Sequence, residues 1–328
     1  MANLRCAVPP NYLRFGVVAL VLVLLGLWSQ ASFPGVPDST VSRIKSSWQS
    51  VKGDPLRPLV VYVYAENDTA RPNLEFFVKQ GLHANADFLF VFNGETNMTQ
   101  VIPDHPNVRI KQRDNTCYDL GTLGEVLQED DLWKKYKRFI TMNASVRGPF
   151  LPVWSQACWT DLFLGRITDK VKLVGTTVNC APKNHVQSMV WATDDVGMGI
   201  LLDPKLAYTS TDDEWGTKDD PVGLSGCYNE FKKAVHSEVG STGLILSQGY
   251  EVDVMMTSFS TEKGIREYCR SIEGVYDVQY DKHYFGINLH PYETVFYKTN
   301  RGIDPTVVDR FTEWQTKRGF SSWELCKR

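Results

Sequence analysis

The chain has 328 residues, which is enough for one large domain or two small ones. Its 43% hydrophobic and 22% charged residues are ordinary for a globular protein with a sizeable core. A formal net charge of −3 argues against a strong nucleic-acid binder, so we expect no nucleic-acid partner.

The amino-terminal segment differs from the rest of the chain. No residue in Phe15–Pro37 is charged, and the stretch Tyr12–Phe33 is long enough to span a bilayer as a helix. Arg5 and Arg14 precede the uncharged run that begins at Phe15, which favours a cytoplasmic amino terminus and a single-pass type II membrane protein. A cleaved signal peptide ending at Ser29-Gln30-Ala31 is the alternative, and both arrangements place the remainder in the secretory pathway. The predicted parts are a cytoplasmic tail (1–14), a transmembrane signal anchor (15–33), a stem (34–58) and a lumenal domain (59–328).

Cysteines and glycosylation sequons agree with a lumenal domain. An even number of cysteines follows the predicted anchor and permits disulfide bonds in more than one pairing. The sequence contains no CxxC spacing, which argues against a zinc ribbon. These cysteines are Cys117, Cys158, Cys180, Cys227, Cys269 and Cys326. Sequons begin at Asn67, Asn97 and Asn143, and Asn97 is the best acceptor because it follows an evident turn.

Apolar runs alternate with amphipathic segments along the predicted lumenal domain. The predicted strands or extended runs are Leu59–Tyr64, Phe88–Phe92, Val108–Lys111, Arg138–Met142, Val171–Val178, His185–Ala192 and Glu251–Met256. The predicted helices are Pro72–His83, Asp119–Leu127, Trp159–Arg166, Asp194–Leu202, Tyr228–Gln248 and Asp304–Arg318, and Thr209–Pro221 is predicted to be an exposed loop. Continuous apolar strands between helices indicate an α/β fold with a mostly parallel central sheet flanked by helices.

Polar residues follow several of these strands. Parallel strands joined by right-handed crossovers end at one edge of the sheet, and ligands bind outside the carboxyl ends of such strands. The strand Arg138–Met142 leads into Asn143, Ser145, Arg147 and Gly148, which suits a polar, anionic ligand. An ordinary exit from a strand into a loop would have a similar composition. Comparable clusters are Ala65–Asp68, Arg113–Gly121, and His185–Ser188 together with Thr193–Asp195.

Two carboxylates and one imidazole are candidates for chemistry. Glu238 precedes Gly240 on a predicted helix and is the best candidate for a general base, although a solvated helical glutamate would look the same. Asp194 is the second candidate, and its alternative role is to cap the following helix. His290 precedes a proline turn and could bind diphosphate or a metal, or be a hydrogen-bonded loop residue.

The usual motifs of several enzyme classes are missing from the sequence. GxxxxGK[ST], GxGxxG, GxSxG and HExxH do not occur, so kinase, dinucleotide-binding, serine-hydrolase and zincin functions lose their usual support. The sequence also offers no recognisable pair of carboxylates for a hydrolase.

Five segments in fixed order carry a resemblance to a known family. They are Tyr62–Tyr64, Asn115–Gly121, Asn143–Pro152, His185–Ser188 and Leu289–Glu293. Together they resemble a group of fungal, algal and plant type II membrane proteins that is distantly similar to the rhamnan synthesis F family of bacterial glycosyltransferases. The resemblance spans about Leu59 to Lys298 and implies a GT-A-type nucleotide-sugar transferase fold.

The resemblance also implies a metal site that this sequence lacks in its usual form. In GT-A enzymes the strand corresponding to Arg138–Met142 ends in Asp-x-Asp, which binds a divalent metal on the donor diphosphate. Here Asn143-Ala144-Ser145 takes that place, and neutral amide and hydroxyl groups are poor ligands for Mg²⁺ or Mn²⁺. We therefore assign no metal ligand, and metal dependence is in question. The motif Glu251-Val252-Asp253 keeps a weaker metal alternative open.

The sequence is thus interpreted as a Golgi or endoplasmic-reticulum glycosyltransferase acting on a glycan or glycoprotein acceptor. The expected donor-binding residues are Tyr64, Asn67, Arg113, Asn115, Asp119, Asn143, Ser145, Arg147, Gly148 and His290. Glu238, or else Asp194, is the expected base if the reaction inverts the anomeric centre, whereas a retaining front-side mechanism needs no base. An inactive glycan-binding or scaffold protein on a degenerate transferase fold is the alternative.

Overall fold

The computed structural model describes residues 56–261, 263–272 and 277–326. The predicted tail and anchor, and nearly all of the predicted stem, lie outside these residues. Within the described part of the chain, no helix is both long and apolar enough to cross a bilayer.

A mostly parallel sheet of seven strands forms the centre of the described domain. Its order is β10-β6-β9-β4-β1-β2-β3, and β9 alone among these seven strands runs antiparallel to its neighbours. The strands are β1 (Leu59–Ala65), β2 (Asp87–Asn93), β3 (Val108–Arg113), β4 (Arg138–Asn143), β5 (Val146–Arg147), β6 (Val171–Gly175), β7 (Val178–Asn179), β8 (His185–Val186), β9 (Val190–Asp194), β10 (Glu251–Val254) and β11 (Tyr297–Lys298). The short strands pair separately, β5 with β11 and β7 with β8.

Helices cover the sheet. They are α1 (Ala70–Gln80), α2 (Tyr118–Gln128), α3 (Trp159–Leu164), α4 (Asp195–Leu202), α5 (Phe231–Ser247), α6 (Gly264–Ser271), α7 (Pro291–Thr294), α8 (Pro305–Lys317) and α9 (Ser322–Leu325), with 3₁₀ turns at Met98–Val101 and Glu129–Lys135. The mixed α/β class and the mostly parallel sheet agree with the prediction from the apolar runs. The predicted loop Thr209–Pro221 contains no helix or strand.

The central strands are buried on both faces, which is why their sequences are continuously apolar. All residues of β1 except Ala65 are buried, as are those of β2 except Asp87. Tyr62 on β1 packs against Phe90 on β2 with ring centroids 5.5 Å apart, and against Phe77 on α1 at 5.0 Å. This aromatic layer fixes the register between the strands that lead to the cavity described below.

Some boundaries differ from those predicted by the sequence pattern. The predicted strand Val171–Val178 is divided into β6 and β7, and the extended run His185–Ala192 into β8 and β9. Helix α5 continues through Gly240, where the sequence suggested an interruption. A Cβ atom at Gly240 would lie 2.4 Å from Val222 Cγ1, so this glycine permits close packing rather than a break.

The order of the strands creates a switch point beside β1. The chain passes from β1 to β2 and β3 on one side, and then returns to place β4 on the other side of β1. Both neighbours of β1 are parallel to it, so Ala65 and Asn143 lie at the same carboxyl edge. In open α/β sheets, ligands bind outside the carboxyl ends of the strands at such a point.

Three disulfide bonds join distant parts of the domain, as the even cysteine count allowed. They are Cys117–Cys227, Cys158–Cys326 and Cys180–Cys269, and they close sequence separations of 110, 168 and 89 residues. Cys117–Cys227 ties the start of α2 to the segment that precedes α5. The walls of the cavity are built from these two helices.

Glycines on α2 allow it to approach that same segment very closely. A Cβ atom at Gly124 would lie 1.6 Å from the carbonyl oxygen of Leu224, and one at Gly121 would lie 2.8 Å from that of Gly226. Backbone atoms cannot yield as a flexible side chain can. The identity of these two residues therefore sets the distance between α2 and the segment before α5.

We expect Gly124→Ala to lower the free energy of unfolding by about 3 kcal/mol or more, because the added methyl group overlaps the backbone. Gly243→Ala is the matched control, since Gly243 is exposed on α5 and a Cβ atom there would meet nothing within 4 Å. It should raise the free energy of unfolding by about 0.8–1 kcal/mol through helix propensity. Urea denaturation of both variants measures the difference, and equal stabilities would contradict the close approach.

Candidate functional site

A polar cavity of ≈ 500 Å³ opens at the carboxyl edge of β4, and we call it the strand-end cavity. One wall comes from the start of α2 and the end of β4, the other from α5 and the segment before β9. The residues after β11 close a third side. Its lining includes Tyr118, Asp119, Asn143, Ser145, His185, Gln187, Ser188, Glu214, Trp215, Phe231, Glu238, Asp277, Tyr280, Lys298 and Arg301.

A directed chain of hydrogen bonds runs along the first wall. The Lys298 ammonium donates to Ser145 Oγ at 3.4 Å, and this hydroxyl donates to Asn143 Oδ1 at 2.6 Å. The Asn143 amide nitrogen then donates to Asp119 Oδ2 at 2.9 Å. Ser145 and Asn143 each accept one hydrogen bond and donate the next, between the Lys298 donor and the Asp119 acceptor, so the chain fixes four polar side chains at the edge of the sheet.

The carboxyl group of Asp119 lies in a poorly solvated part of the cavity wall. Burial raises the pKa of Asp119 to about 6, and the nearby Lys298 ammonium and the hydrogen bond from Asn143 oppose this change. The sequence suggested Asp119 as the cap of its helix, but Cys117 occupies the cap position and Asp119 lies in the first helical turn. Its side chain is therefore available to the cavity.

We expect the stability of the protein to fall as the pH rises from about 4 to about 6, in part because of Asp119. Its pKa is about 6 in the folded state and near 3.8 in the unfolded chain, so the folded state retains the proton over this interval. Asp119→Asn should reduce this fall by about 1–3 kcal/mol. Urea denaturation at pH 4 and pH 7 tests this, with the exposed Asp161→Asn as a control that should leave the fall unchanged.

Glu238 lies on the opposite wall, on α5. Its Oε1 accepts hydrogen bonds from the backbone N–H of Ser188 at 2.6 Å and from Ser188 Oγ at 2.9 Å. Both donors meet the same carboxylate oxygen, so they orient the group without engaging Oε2, and Glu238 lines the cavity. Ser188 lies just before β9, whose first residue Val190 pairs with Met142 at the carboxyl edge.

A loop and several aromatic rings form the rim of the cavity. His236 Nδ1 lies 2.8 Å from Asp213 Oδ2, and the Lys183 ammonium lies 3.1 Å from the same oxygen. Burial alone would raise the pKa of Asp213, but the hydrogen bonds from these neighbours and the Trp215 backbone hold it below its usual value. This buried contact anchors the segment that carries Trp215, whose ring lies 6.2 Å from that of Phe231.

The third side of the cavity carries positive charge. Lys298 ends β11, and Arg301 follows in the next turn with its guanidinium 5.1 Å above the ring of Tyr280. Arg301 also lies 3.9 Å from Asp277, which accepts a hydrogen bond from Gln187 at 3.3 Å. Burial, and to a smaller extent the nearby Arg301 guanidinium, lower the pKa of Lys298, while the carboxylates of Glu238, Asp277 and Asp119 oppose the change.

The structure brings four of the predicted site residues together at this cavity: Asp119, Asn143, Ser145 and Glu238. Asn143 is also a predicted sequon, and its amide is engaged with Asp119. The other predicted residues lie outside the lining of the cavity.

Three predicted donor-binding residues lie near the ends of β1 and β3 but outside the lining. Tyr64 is fully buried in the sheet, with its ring 5.3 Å from that of Phe92, and burial raises its pKa to about 12. Asn67 Oδ1 accepts from the backbone N–H groups of Thr69 and Ala70 at 3.1 and 2.8 Å, so it organises the start of α1. Asn115 is exposed on the loop before α2.

The two predicted arginines are held by other parts of the fold. Arg113 forms an ion pair with Glu125 and donates to Asn93 Oδ1 at 3.0 Å. Arg147 donates to Asn73 Oδ1 at 3.0 Å and points towards α8, where Asp309 lies 3.8 Å away. Both arginines were expected to bind the donor, and neither lines the strand-end cavity.

Gly148, His290 and Asp194 also lie away from the cavity. A Cβ atom at Gly148 would lie 2.6 Å from the carbonyl oxygen of Val295, so this glycine allows two backbones to meet. His290 caps α7 by accepting from the Tyr292 N–H, and burial lowers its pKa.

Asp194 lies at the amino edge of the sheet because β9 is antiparallel and pairs Asp194 with Arg138. There it caps α4 by accepting from the Gly197 N–H at 3.0 Å, and it binds the Lys172 ammonium at 2.6 Å. Asp194 therefore lies outside the strand-end cavity, in the helix-cap position that the sequence offered as its alternative role.

The residues at the end of β4 do not fit a divalent metal. Asn143 Oδ1 already accepts a hydrogen bond from Ser145 Oγ. The Lys298 ammonium donates to the same hydroxyl, and its positive charge would repel a metal ion bound there. In the described part of the chain, two groups of three side chains have possible metal-ligand atoms within 4.8 Å of one another. One is His83, Cys158 and Cys326, and the other is Cys117, Glu125 and Cys227. Both groups contain disulfide sulfurs, which cannot serve as thiolates.

The alternative carboxylate pair, Glu251 and Asp253, also lies outside the lining of the cavity. Asp253 Oδ2 accepts from Arg166 Nε at 2.6 Å, so its charge is balanced within the fold.

Several lining residues were not among the predicted ones. Lys298 and Arg301 follow the apolar run Val295–Tyr297, and this is the same signal, a strand ending in polar residues, that identified Asn143. Tyr280 and Trp215 lie in segments without regular periodicity, where the sequence pattern gives no indication of an inward face.

No protein-family model and no curated protein matches the chain. Among solved structures, it is similar to a cytidylyltransferase from Leptospira borgpetersenii serovar Hardjo-bovis, at 11% identity and a TM-score of 0.29 over 44% of this chain and 63% of that one. It is similar to the apo form of glycosyltransferase GlyE from Streptococcus pneumoniae TIGR4, at 8% identity and a TM-score of 0.30 over 44% of this chain and 35% of that one.

A further similarity is to the apo structure of the bifunctional glycosyltransferase WbbM, at 11% identity and a TM-score of 0.28 over 44% of this chain and 32% of that one. The chain thus spans less than two thirds of the length of each of these proteins.

Proposed function

We propose that this protein is a glycosyltransferase that moves a sugar from a nucleotide-sugar donor to a hydroxyl group of a glycan or glycoprotein. The observation that carries the proposal is the strand-end cavity, which places a network of polar donors and a lysine opposite an oriented carboxylate. The cavity lies at the carboxyl end of β4, next to the switch point between β1 and β4, and α/β folds bind nucleotides and related ligands in this region. The sequence resemblance supports the same class of reaction.

The carboxylate of Glu238 suits the role of general base. Ser188 holds Oε1 with two hydrogen bonds, so the other oxygen can receive the proton of an acceptor hydroxyl as that hydroxyl attacks the anomeric carbon. The attack breaks the bond between the anomeric carbon and the diphosphate oxygen, whose electron pair leaves with the nucleoside diphosphate. A single displacement of this kind inverts the anomeric centre.

The aromatic rim suits a carbohydrate. Tyr118, Phe231 and Tyr280 line the cavity and are 44%, 60% and 42% exposed, and a cluster of exposed aromatic side chains is typical of a binding surface. Aromatic rings pack well against the C–H faces of sugar rings, and the polar groups below them can fix the sugar hydroxyls.

We further propose that the enzyme works in the lumen of the Golgi apparatus or endoplasmic reticulum, tethered by the amino-terminal segment. The three disulfide bonds support an oxidising compartment. Exposed Asn97 supports the same location as a glycosylation acceptor.

A thermal-shift screen of nucleotide sugars and nucleoside diphosphates tests the function. A ligand that binds the folded state alone raises the melting temperature in proportion to the logarithm of its concentration over its dissociation constant. We expect one nucleotide class to stabilise the protein and its sugar to be transferred to a glycan acceptor. If no nucleotide binds and glycans do, the protein is instead a glycan-binding module on a transferase-like fold.

A further inference from the structure

The cations of the strand-end cavity have no role yet in the proposed reaction. Lys298 and Arg301 lie on the third side, between the polar end of β4 and the aromatic rim. A nucleotide-sugar donor carries two phosphate groups, and a new negative charge develops on them when the sugar leaves. This charge must be met by a metal or by cationic side chains.

The backbone around Lys298 fixes its position firmly. Lys298 pairs with Val146 in the antiparallel contact between β11 and β5. The N–H of Thr299 donates to the carbonyl oxygen of Ser145 at 3.0 Å, and Asn73 binds both Ala144 O and Thr299 Oγ1, at 2.8 and 2.7 Å. The ammonium is therefore carried to the end of β4 by main-chain hydrogen bonds rather than by a flexible surface loop.

The internal position of Arg147 explains part of this rigidity. Its Nε donates to Asn73 Oδ1 at 3.0 Å and so orients the amide that joins Ala144 to Thr299. Arg147 thus acts on the cavity through the backbone, while Lys298 presents its charge directly.

We propose that Lys298, assisted by Arg301, binds the donor diphosphate and neutralises the leaving nucleoside diphosphate in place of a divalent metal. This inference rests on the proposed function. A lysine ammonium is a compact charge with three donors, one of which is engaged with Ser145. The guanidinium of Arg301 offers two parallel donors to phosphate oxygens and is already oriented above Tyr280.

The surrounding carboxylates fit this role as counter-ions in the free enzyme. Glu238, Asp277 and Asp119 all favour the charged form of Lys298 against the effects of burial and of the neighbouring Arg301 charge. Binding of a diphosphate would transfer the ammonium from these partners to the ligand. The acceptor proton passes to Glu238 and the electron pair of the broken bond goes to the diphosphate, so the reaction needs no further cofactor.

Isothermal titration calorimetry of the full-length protein in EDTA tests this site, with the nucleoside diphosphate and the nucleoside monophosphate of the base identified by the thermal-shift screen. We expect the wild-type protein to bind the diphosphate without added metal. Lys298→Met should weaken diphosphate binding by about 10- to 100-fold, the effect of losing hydrogen bonds to a charged group, and monophosphate binding by less than about threefold.

Two further variants separate the charge from effects on folding. Lys298→Arg should retain diphosphate affinity within about fivefold, because it keeps the charge. Arg301→Gln changes an exposed side chain and should weaken diphosphate binding by about 5- to 20-fold with the melting temperature unchanged. Lys79→Met, at an exposed position on α1, is the control that should leave the affinity unchanged.

The results can overturn this inference without overturning the proposed function. If the nucleoside diphosphate binds only after Mn²⁺ or Mg²⁺ is added, or if Lys298→Met binds it as well as the wild type does, a metal or other residues perform this role. If no nucleotide binds with or without metal, the proposed function fails as well.

Discussion

Glu238→Gln should reduce the rate of sugar transfer by about 10²- to 10⁴-fold, the usual contribution of a positioned general base. Glutamine keeps the Oε1 atom that accepts from the backbone N–H and hydroxyl of Ser188, so the side chain should retain its orientation. It lacks the basic carboxylate that would remove the acceptor proton. We therefore expect kcat to fall while the affinity for the nucleoside diphosphate changes by less than about threefold.

The measurement is steady-state transfer with the donor that stabilises the protein, combined with nucleotide titration of the same variant. Asp194→Asn is the matched control, because asparagine can still cap α4 and the residue lies at the opposite edge of the sheet. It should leave kcat unchanged. An unchanged kcat in Glu238→Gln would remove Glu238 from the mechanism, and a large loss in Asp194→Asn would contradict the arrangement described above.

Replacing both Cys117 and Cys227 by serine should lower the free energy of unfolding by about 3–5 kcal/mol, because the disulfide closes a long loop in the unfolded chain. We also expect it to weaken nucleotide binding. The bond joins the start of α2, which carries Asp119, to the segment before α5, which carries Glu238. Without it, the two walls of the cavity are held together mainly by packing around the α2 glycines.

The bond Cys158–Cys326 provides the matched comparison, because neither cysteine lines the strand-end cavity. Its removal should cost a similar free energy of unfolding, about 3–5 kcal/mol. The nucleotide affinity of the folded protein should stay within about twofold. Urea denaturation and nucleotide titration of both double variants distinguish the effects, and equal losses of affinity would show that Cys117–Cys227 has no special role at the cavity.

The sequence alone predicted the strands that are buried on both faces and the helices that have one clear apolar face. Strands β1 and β2 are buried on both faces, so their runs of branched and aromatic residues indicate parallel strands whatever lies around them. The predicted helices that became α1, α5 and α8 carry apolar residues at helical spacing and were placed within a few residues. Their boundaries shifted because caps and close packing, rather than periodicity, decide where a helix ends.

The site was predictable where a single strand carries it. Asn143 and Ser145 follow β4 directly, and the rule that parallel strands end at one edge was enough to indicate a ligand there. Arg147, two residues further, has the same composition signal, yet the antiparallel pairing of β5 with β11 turns its side chain towards α8. A local pattern cannot show which face a residue presents once the chain leaves the sheet.

Tertiary structure decided which charges meet. Lys298 contacts Ser145 although the two residues are 153 positions apart in the sequence. Glu238 contacts Ser188, which is 50 positions away. Asp194 was excluded from the cavity because β9 runs antiparallel, a property of strand order that its own residues do not encode. The sequence by itself determined the α/β class and the polar end of β4, because burial and alternation act locally. The direction of β9 and the long-range pairing of β11 instead placed Ser188, which holds Glu238, and Lys298 at the cavity.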